Sequence, residues 1–224
     1  MELRKHFRLL YGTQALNYLL GTPAPTAAQL TAWLDTPANL DAYQRLLATN
    51  AGASAVCASS AIMAAVAASP KALETLRDSG PGSAALVNSK TAIDAVLAAG
   101  SAAISSVLSI GAVRTAVFNS DTAFNTLVAS AAGKAALNSM ASEHINSTTA
   151  HVYPTGVNAA ARTVLVSQKA NASFYPTYAG ASADTYSCNS TAFLERYVRI
   201  TGLTHRASSS GTSNQSTIRY VLMQ

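Results

Sequence analysis

Charge is what this chain has least of. Asp, Glu, Lys and Arg make up 11% of its 224 residues, against about a quarter in ordinary soluble domains. Ser, Thr, Asn and Ala must therefore cover most of the surface. Such a surface suits a protein packed into an assembly or working outside a cell, and is unusual for a free cytosolic enzyme. The ten carboxylates leave little for paired acid–base chemistry. Glu74 and Asp78 share a helix face at i, i+4, but Arg77 beside them marks a solvated surface. Asp184 and Glu195 are the remaining candidates towards the C-terminus. The net charge of +5 is scattered, apart from Arg4, Lys5 and Arg8, and forms no basic face of the kind nucleic acid requires.

Cysteine is nearly absent. Cys57 sits among alanines and reads as a small buried hydrophobe, whereas Cys188 lies in a polar stretch. Two cysteines with no CxxC or Cys/His cluster exclude a thiolate metal site and a disulfide framework, although a single bond between them stays open. The histidines are His6, His144, His151 and His205. His205 follows a strand pattern with no carboxylate near it in sequence, and reads as exposed or structurally bonded. No Gly-x-Ser-x-Gly elbow occurs, since Gly180-Ala181-Ser182-Ala183-Asp184 fails at its last position. Pro81 removes an amide that a phosphate-binding Gly80-Pro81-Gly82 loop would need. These absences point away from an enzyme, a metal centre or a cofactor. No run reaches about 18 apolar residues, so no membrane span is expected. The N-terminus lacks the apolar core of a signal peptide, because Leu9-Leu10-Tyr11 runs straight into Gly12-Thr13-Gln14. The sequons at Asn146, Asn171, Asn189 and Asn214 then read as chance matches in a Ser/Thr/Asn-rich chain.

What the chain does have is a ten-residue repeat from about Asn39 to Ser139. Small polar residues open the units at Asn39, Thr49, Ser59, Ser69, Ser79 and Ser89. Four residues on stand Tyr43, Ala53, Met63, Leu73, Ser83 and Ile93. Seven on stand Leu46, Val56, Val66, Leu76, Leu86 and Val96. A single helix with that period would turn its apolar stripe by about 80° per unit. Ser69-Pro70 and Ser79-Gly80-Pro81-Gly82 interrupt it instead, and Ser89, Ser109, Ser120 and Ser130 recur as caps. The expected unit is a helix of about seven residues and a sharp turn, too short to persist alone and dependent on its neighbours. The register slips near Gly100, where Ile104 and Val107 take the apolar places, and again near Ser120, where Phe124 and Leu127 do.

The expected architecture is α+β, in three parts. Residues 1–36 form an N-terminal helical docking segment, with Thr26 capping a helix that contains Trp33. Phe7, Tyr11 and Trp33 are its candidate partner-docking residues. Residues 37–145 are a stack of short helical decapeptide repeats. Residues 146–224 form a small antiparallel β-sandwich, opened by an Asn146–Thr149 linker. Its strands are expected at Thr163–Val166, Phe193–Thr201 and Thr217–Met223, with a long polar hairpin loop (206–214) between the last two. Tyr175, Tyr178 and Tyr186 are candidate contacts for a glycan or a neighbouring subunit, since Tyr is a rigid amphipathic contact residue in loops.

The stretches ASSAIMAAVAASPKALETL and NSKTAIDAVLAAGSAA resemble the Ser/Ala decapeptide repeats of tail-fibre and baseplate-associated proteins of tailed bacteriophages. The C-terminal segment YVRITGLTHRASSSGTSNQSTIRYVLMQ looks like the closing hairpin of small β domains in such virion proteins. The resemblance spans about 180 residues. It implies a structural virion protein that links tail or baseplate to a fibre, or forms part of the fibre. It implies other virion proteins as partners, a homo-oligomer such as a trimer, synthesis in the host cytoplasm, and no catalytic residues. The chain departs from long fibres in having neither heptads nor a fibrous β pattern. A host-surface glycan is the alternative partner, bound by the tyrosine-bearing β domain.

Overall fold

The computed structural model describes residues 14–21, 23–158, 162–170, 190–207 and 215–223, together with the backbone of 177–178. These residues form two compact units, 1–133 and 134–224.

The first unit is built from short helices, each punctuated at its N-cap. α1 is helical over residues 14–19, and α2 spans Ala27–Leu34. Thr26 and Gln29 close a reciprocal capping box on α2, so two helix-end donors are satisfied. There follow α3 Pro37–Leu47, α4 Asn50–Ala58, α5 Ser60–Ala67, α6 Pro70–Asp78, α7 Gly80–Asn88 and α8 Lys90–Ala99. The series ends with α9 Ser101–Leu108, α10 Gly111–Asn119, α11 Asp121–Ala129 and α12 Ala131–Met140. The hydroxyls of Thr49, Ser59, Ser79, Ser89 and Ser120 each accept from the backbone N–H three residues on. Pro70 stands at the start of α6, where its missing N–H costs nothing. The chain turns by 93° between α4 and α5 and by 107° between α9 and α10.

The chain comes back on itself every third helix. α5 packs on α2, α6 on α3, α7 on α4, α8 on α5, α9 on α6, α10 on α7 and α11 on α8. The repeat of ten residues is thus one side of a three-sided coil, and one turn takes about thirty residues. The seventh residue after each cap faces the axis. Val56, Val66, Leu76, Leu86 and Val96 are buried, as are Val107, Val117 and Leu127 after the shift at Gly100. Gly100 is the natural residue for that shift, because its φ of 101° is open to glycine and strained for other residues.

Only one slip occurs. Ser109 closes α9, its hydroxyl donating to the Ser106 carbonyl, and Ile110 is the N-cap of α10. Caps then recur at Gly100, Ile110, Ser120 and Ser130, and the second slip expected near Ser120 disappears. An uncapped start at Ile110 is invisible to a search for small polar openers.

Turns of the coil are tied by the same groups that cap them. The Ser79 hydroxyl donates to the Leu47 carbonyl at 2.7 Å, and the Ser89 hydroxyl to the Cys57 carbonyl at 2.6 Å. Each hydroxyl therefore accepts from its own helix and donates one turn back. Arg77 Nη1 donates to the Ser106 carbonyl at 3.1 Å and its hydroxyl at 2.9 Å, again one turn away. Asp78 beside it raises the Arg77 pKa by hydrogen bonding. The lead-in is part of this coil. Thr31 Oγ1 lies 2.8 Å from Ser69 Oγ, and Lys71 bridges Asp35 at 2.9 Å. A boundary after residue 36 has no counterpart, since α2 occupies the place of any other side of the coil.

Among the glycines that decide whether adjacent sides can meet are Gly52 and Gly82, with Gly133 placed in the same way. A Cβ at Gly52 would stand 2.2 Å from the Leu46 carbonyl oxygen, and one at Gly82 would stand 2.3 Å from that of Leu76. Both sit at the third helical position, where the previous helix passes closest.

In the second unit, β1 Ser142–Asn146, β6 Ser216–Leu222, β2 Arg162–Ala170 and β4 Leu194–Thr201 form an antiparallel sheet in that order. β3 Thr177–Tyr178 and β5 Leu203–Thr204 pair separately. Leu203 joins the buried cluster of Leu165, Ile218 and Tyr220, so the small sheet packs over one face of the large one. The three expected strands are present, but β4 and β6 do not form a hairpin. Both pair with β2, which lies between them. β1 lies where the repeats are expected to end; its five residues become a strand because β6 offers them a ladder. A domain boundary after residue 145 would cut β1, and the last residues of α12 belong with the sheet. Among the described residues no single helix is long and apolar enough to cross a membrane.

Two expectations test the coil. Gly82→Ala gains helix propensity worth about 1 kcal/mol but meets backbone, and should lower stability by about 1–3 kcal/mol. Gly80→Ala meets nothing within 4 Å and should leave chemical denaturation unchanged or slightly improved. Leu73→Asp places a carboxylate at a site only 1% exposed. It should cost more than about 3 kcal/mol, with helical circular dichroism lost in one transition. A melting curve that barely moves would refute interdependent helices.

Candidate functional site

The polar groups that the fold brings together most tightly lie in the second unit. Alternation along β1 turns His144 and Asn146 inward and leaves Glu143 and Ile145 exposed. β6 pairs Ser216 with Asn146 and Ile218 with His144, and as an inner strand it buries Thr217 as well. Between them stands His205, just beyond β5 and fully buried. His144 Nδ1 and His205 Nε2 are 2.7 Å apart, and His205 Nδ1 is 2.8 Å from Ser216 Oγ. The Ser216 hydroxyl donates to the Asn146 carbonyl at 3.4 Å. A row of hydrogen bonds thus joins β1, residue 205 and β6.

Backbone contacts close the same junction. Val152 and His205 exchange N–H···O bonds at 3.1 Å in both directions, and Ala207 N–H donates to the Thr148 carbonyl at 2.8 Å. Asn146 Nδ2 donates to the carbonyls of His205 (2.7 Å) and Ala150 (3.0 Å). Asn146 Oδ1 accepts from the amide and hydroxyl of Thr148. The expected linker at Asn146–Thr149 is therefore an Asx turn that pins two strands. The sequon at Asn146 is spent in it, with the side-chain amide buried and bonded at both ends.

Burial dominates the electrostatics. Together with the neighbouring His144 and His151, it pushes the His205 pKa down from its ordinary 6.5 to about 3. Burial also lowers the His144 pKa. Ser216 and His205 have the atom pairing of a nucleophile and its base. They are 1% and 0% exposed, however, and the serine hydroxyl is bonded to a carbonyl. In this geometry the pair holds strands together and offers no path to a substrate.

A second polar group gathers where α12 meets the sheet. The β2 register shifts between Leu165 and Ser167 against both neighbours. Tyr197, in the same irregularity of β4, has a φ of 48°, an uncommon value for a residue with a side chain. The bulge aims Tyr197 at α12. Its hydroxyl accepts from Asn138 Nδ2 at 2.6 Å and donates to Glu195 Oε1 at 3.2 Å. Lys134 pairs with Glu195 at 3.4 Å, and Arg219 Nη2 donates to the Asn138 carbonyl at 3.3 Å. Glu195, one of the two carboxylates considered for acid–base work, is thus held in a clasp between helix and strand. Asp184 lies outside the described residues.

In the first unit a cleft of about 640 Å³ opens between α4 and α7, lined by Asn50, Ser54, Pro81, Ala84, Asn88 and Lys90. Sequence spacing hides it, because its walls come from helices one turn of the coil apart. Cys57 at its base is buried, which raises its thiol pKa to about 11 and leaves it unreactive.

Of the residues expected to dock partners, Trp33 stacks on Tyr18 at 4.4 Å and 7° between ring planes, and its carbonyl accepts from Asn39 Nδ2. Part of its ring surface is therefore engaged inside the coil. Phe7 and Tyr11 lie outside the described residues, as do Tyr175, Tyr186 and Cys188. Tyr178 is on β3, paired with Leu203. The histidine junction escaped the sequence because its members are separated by up to 72 positions, and only their shared polarity near strand ends could have signalled it. Among the described residues no group of three or more His, Cys, Asp or Glu side chains is placed to hold a metal ion.

No family model matches the chain, and no curated protein matches it.

Asn146→Ala deletes the donors to the buried His205 carbonyl and to the Ala150 carbonyl, and the Oδ1 acceptor of the Asx turn. It should destabilise the second unit by about 2–4 kcal/mol, read as a lowered urea midpoint for tyrosine fluorescence. Unchanged stability would show that the turn is not what joins β1 to residues 203–207.

Proposed function

We propose that this chain is a structural component of a tailed-bacteriophage virion, part of a tail, baseplate or fibre base, working by shape and copy number. The observation that carries the reading is the coil. Ten-residue units, each too short to stand alone, are capped by hydroxyls that also bond the previous turn. Such a body resists bending because every side is fixed to the third one before and after it. Its low charge favours burial against other subunits over free solution. The decapeptide stretches that resemble tail-fibre and baseplate repeats are the ones that build it.

The partners proposed are other virion proteins and further copies of the chain. On a symmetric particle, many weak contacts combine into firm attachment through high effective concentration. The test is direct. Particles banded from lysates of a host carrying the coding sequence should contain the chain by mass spectrometry, at several copies each. Immunogold label should fall at the tail end. Complete absence from banded particles, with the protein present in the soluble lysate, would overturn the proposal.

A further inference from the structure

The chain has four histidines, and three of them, His144, His151 and His205, meet at one junction of the β unit. Among the described residues the helical unit contains none. We propose that this junction is an acid-released latch. Protonation of the His144–His205 pair detaches β1 and residues 146–152 from β6 and residues 203–207, opening one side of the β unit while the coil stays folded.

Proton counting shows why. In the neutral pair one imidazole N–H donates across the 2.7 Å gap and the facing nitrogen accepts. His205 Nδ1 and Ser216 complete the row, and the serine hydroxyl ends on the Asn146 carbonyl. One added proton can go to His144 Nε2, which leaves the row intact and sets a charge beside the buried neutral His205. A second proton sets two N–H groups against each other at hydrogen-bonding distance, and the row breaks. The charged groups around His205 offer no relief. β1 presents His144, the 148–152 segment presents His151, 3.4 Å from Thr204 Oγ1, and β6 presents the neutral Ser216. Glu143 and Arg219 point to the other face of β1 and β6, and Arg206 is the next residue along the chain. Acid therefore adds like charges to a site that, among the described residues, no carboxylate faces.

The sign follows. The closed form holds His205 neutral down to about pH 3, whereas an opened chain protonates it near its ordinary 6.5. The closed form is fully favoured above about 6.5 and loses ground as pH falls below it. Each proton bound by the open form alone multiplies the open population about tenfold per pH unit. What opens first is the part outside the β1–β6 ladder, where the bonds converge on residue 205 or its neighbours.

Amide hydrogen exchange on the full chain, at about pH 7.5 and pH 4.5 and corrected for intrinsic rates, tests the latch. Amides of Val152, His205 and residues 216–220 should lose protection steeply below about pH 6, while those of residues 60–129 keep theirs. His144→Gln and His205→Gln retain hydrogen-bonding capacity without the titration, and should flatten the profile. Should His205→Gln fail to fold, the half-exposed His144→Gln decides the matter. Unchanged protection of the β amides at acid pH would overturn the proposal, as would loss in both units together or an undiminished pH slope in the glutamine variants. So would a His205 imidazole that titrates near 6.5 by NMR with the row intact.

Discussion

A helix of eight to ten residues cannot support itself in water, and everything in the first unit answers that deficit. Nucleation fixes several residues for the first hydrogen bond, and two turns add too few bonds to recover it. The coil supplies the missing stabilisation from outside each helix. Val56, Val66, Leu76, Leu86 and Val96 bury against neighbours three helices apart. Cap hydroxyls at Ser79 and Ser89 satisfy a helix end and a carbonyl of the previous turn at once. A side of the coil is therefore stable only while the next turn is present. Such dependence gives stiffness along the repeat and makes single buried substitutions felt beyond their own unit.

The second unit solves a different problem. Its strands come from distant parts of the chain, and buried polar groups join them at two places. At the histidine junction, His205 is the common partner of β1, β6 and the segment after Asn146. At the α12 junction, Tyr197 takes a strained backbone conformation to reach Asn138 and Glu195. Strain there is tolerated because the hydroxyl is bonded on both sides. Apolar packing around Leu165, Leu203 and Ile218 supplies the bulk of the burial, and the polar junctions set which strands meet. The contrast is also one of composition: among the described residues the coil contains no histidine, while the β unit contains three.

Legibility followed sequence separation. The period of ten, the caps at Thr26, Thr49, Ser59, Ser79, Ser89 and Ser120, and the helix start at Pro70 are all local events. Each places a hydroxyl or a proline within three residues of what it acts on. The three long strands were readable from alternation of β-branched and aromatic residues. β1 was not, because Ser142–Asn146 has no strand preference of its own and takes its conformation from β6. Ile110 was not, because its cap position lacks the side chain that marks the others. The candidate site was legible only as single residues. His205 could be singled out, but neither His144 nor Ser216 could be assigned to it.

The sequence by itself determined that there would be short capped helices ten residues apart, an axis-facing apolar position in each, and an α+β chain poor in charge. Those follow from bond patterns that close within one helical turn. Only the tertiary structure decided that three helices make a turn and that β2 separates β4 from β6. It alone decided that two histidines share a hydrogen bond in the interior. Each of these depends on atoms about thirty to eighty residues apart, and contact at that range is set by how corners and strand registers add up, which no local pattern encodes.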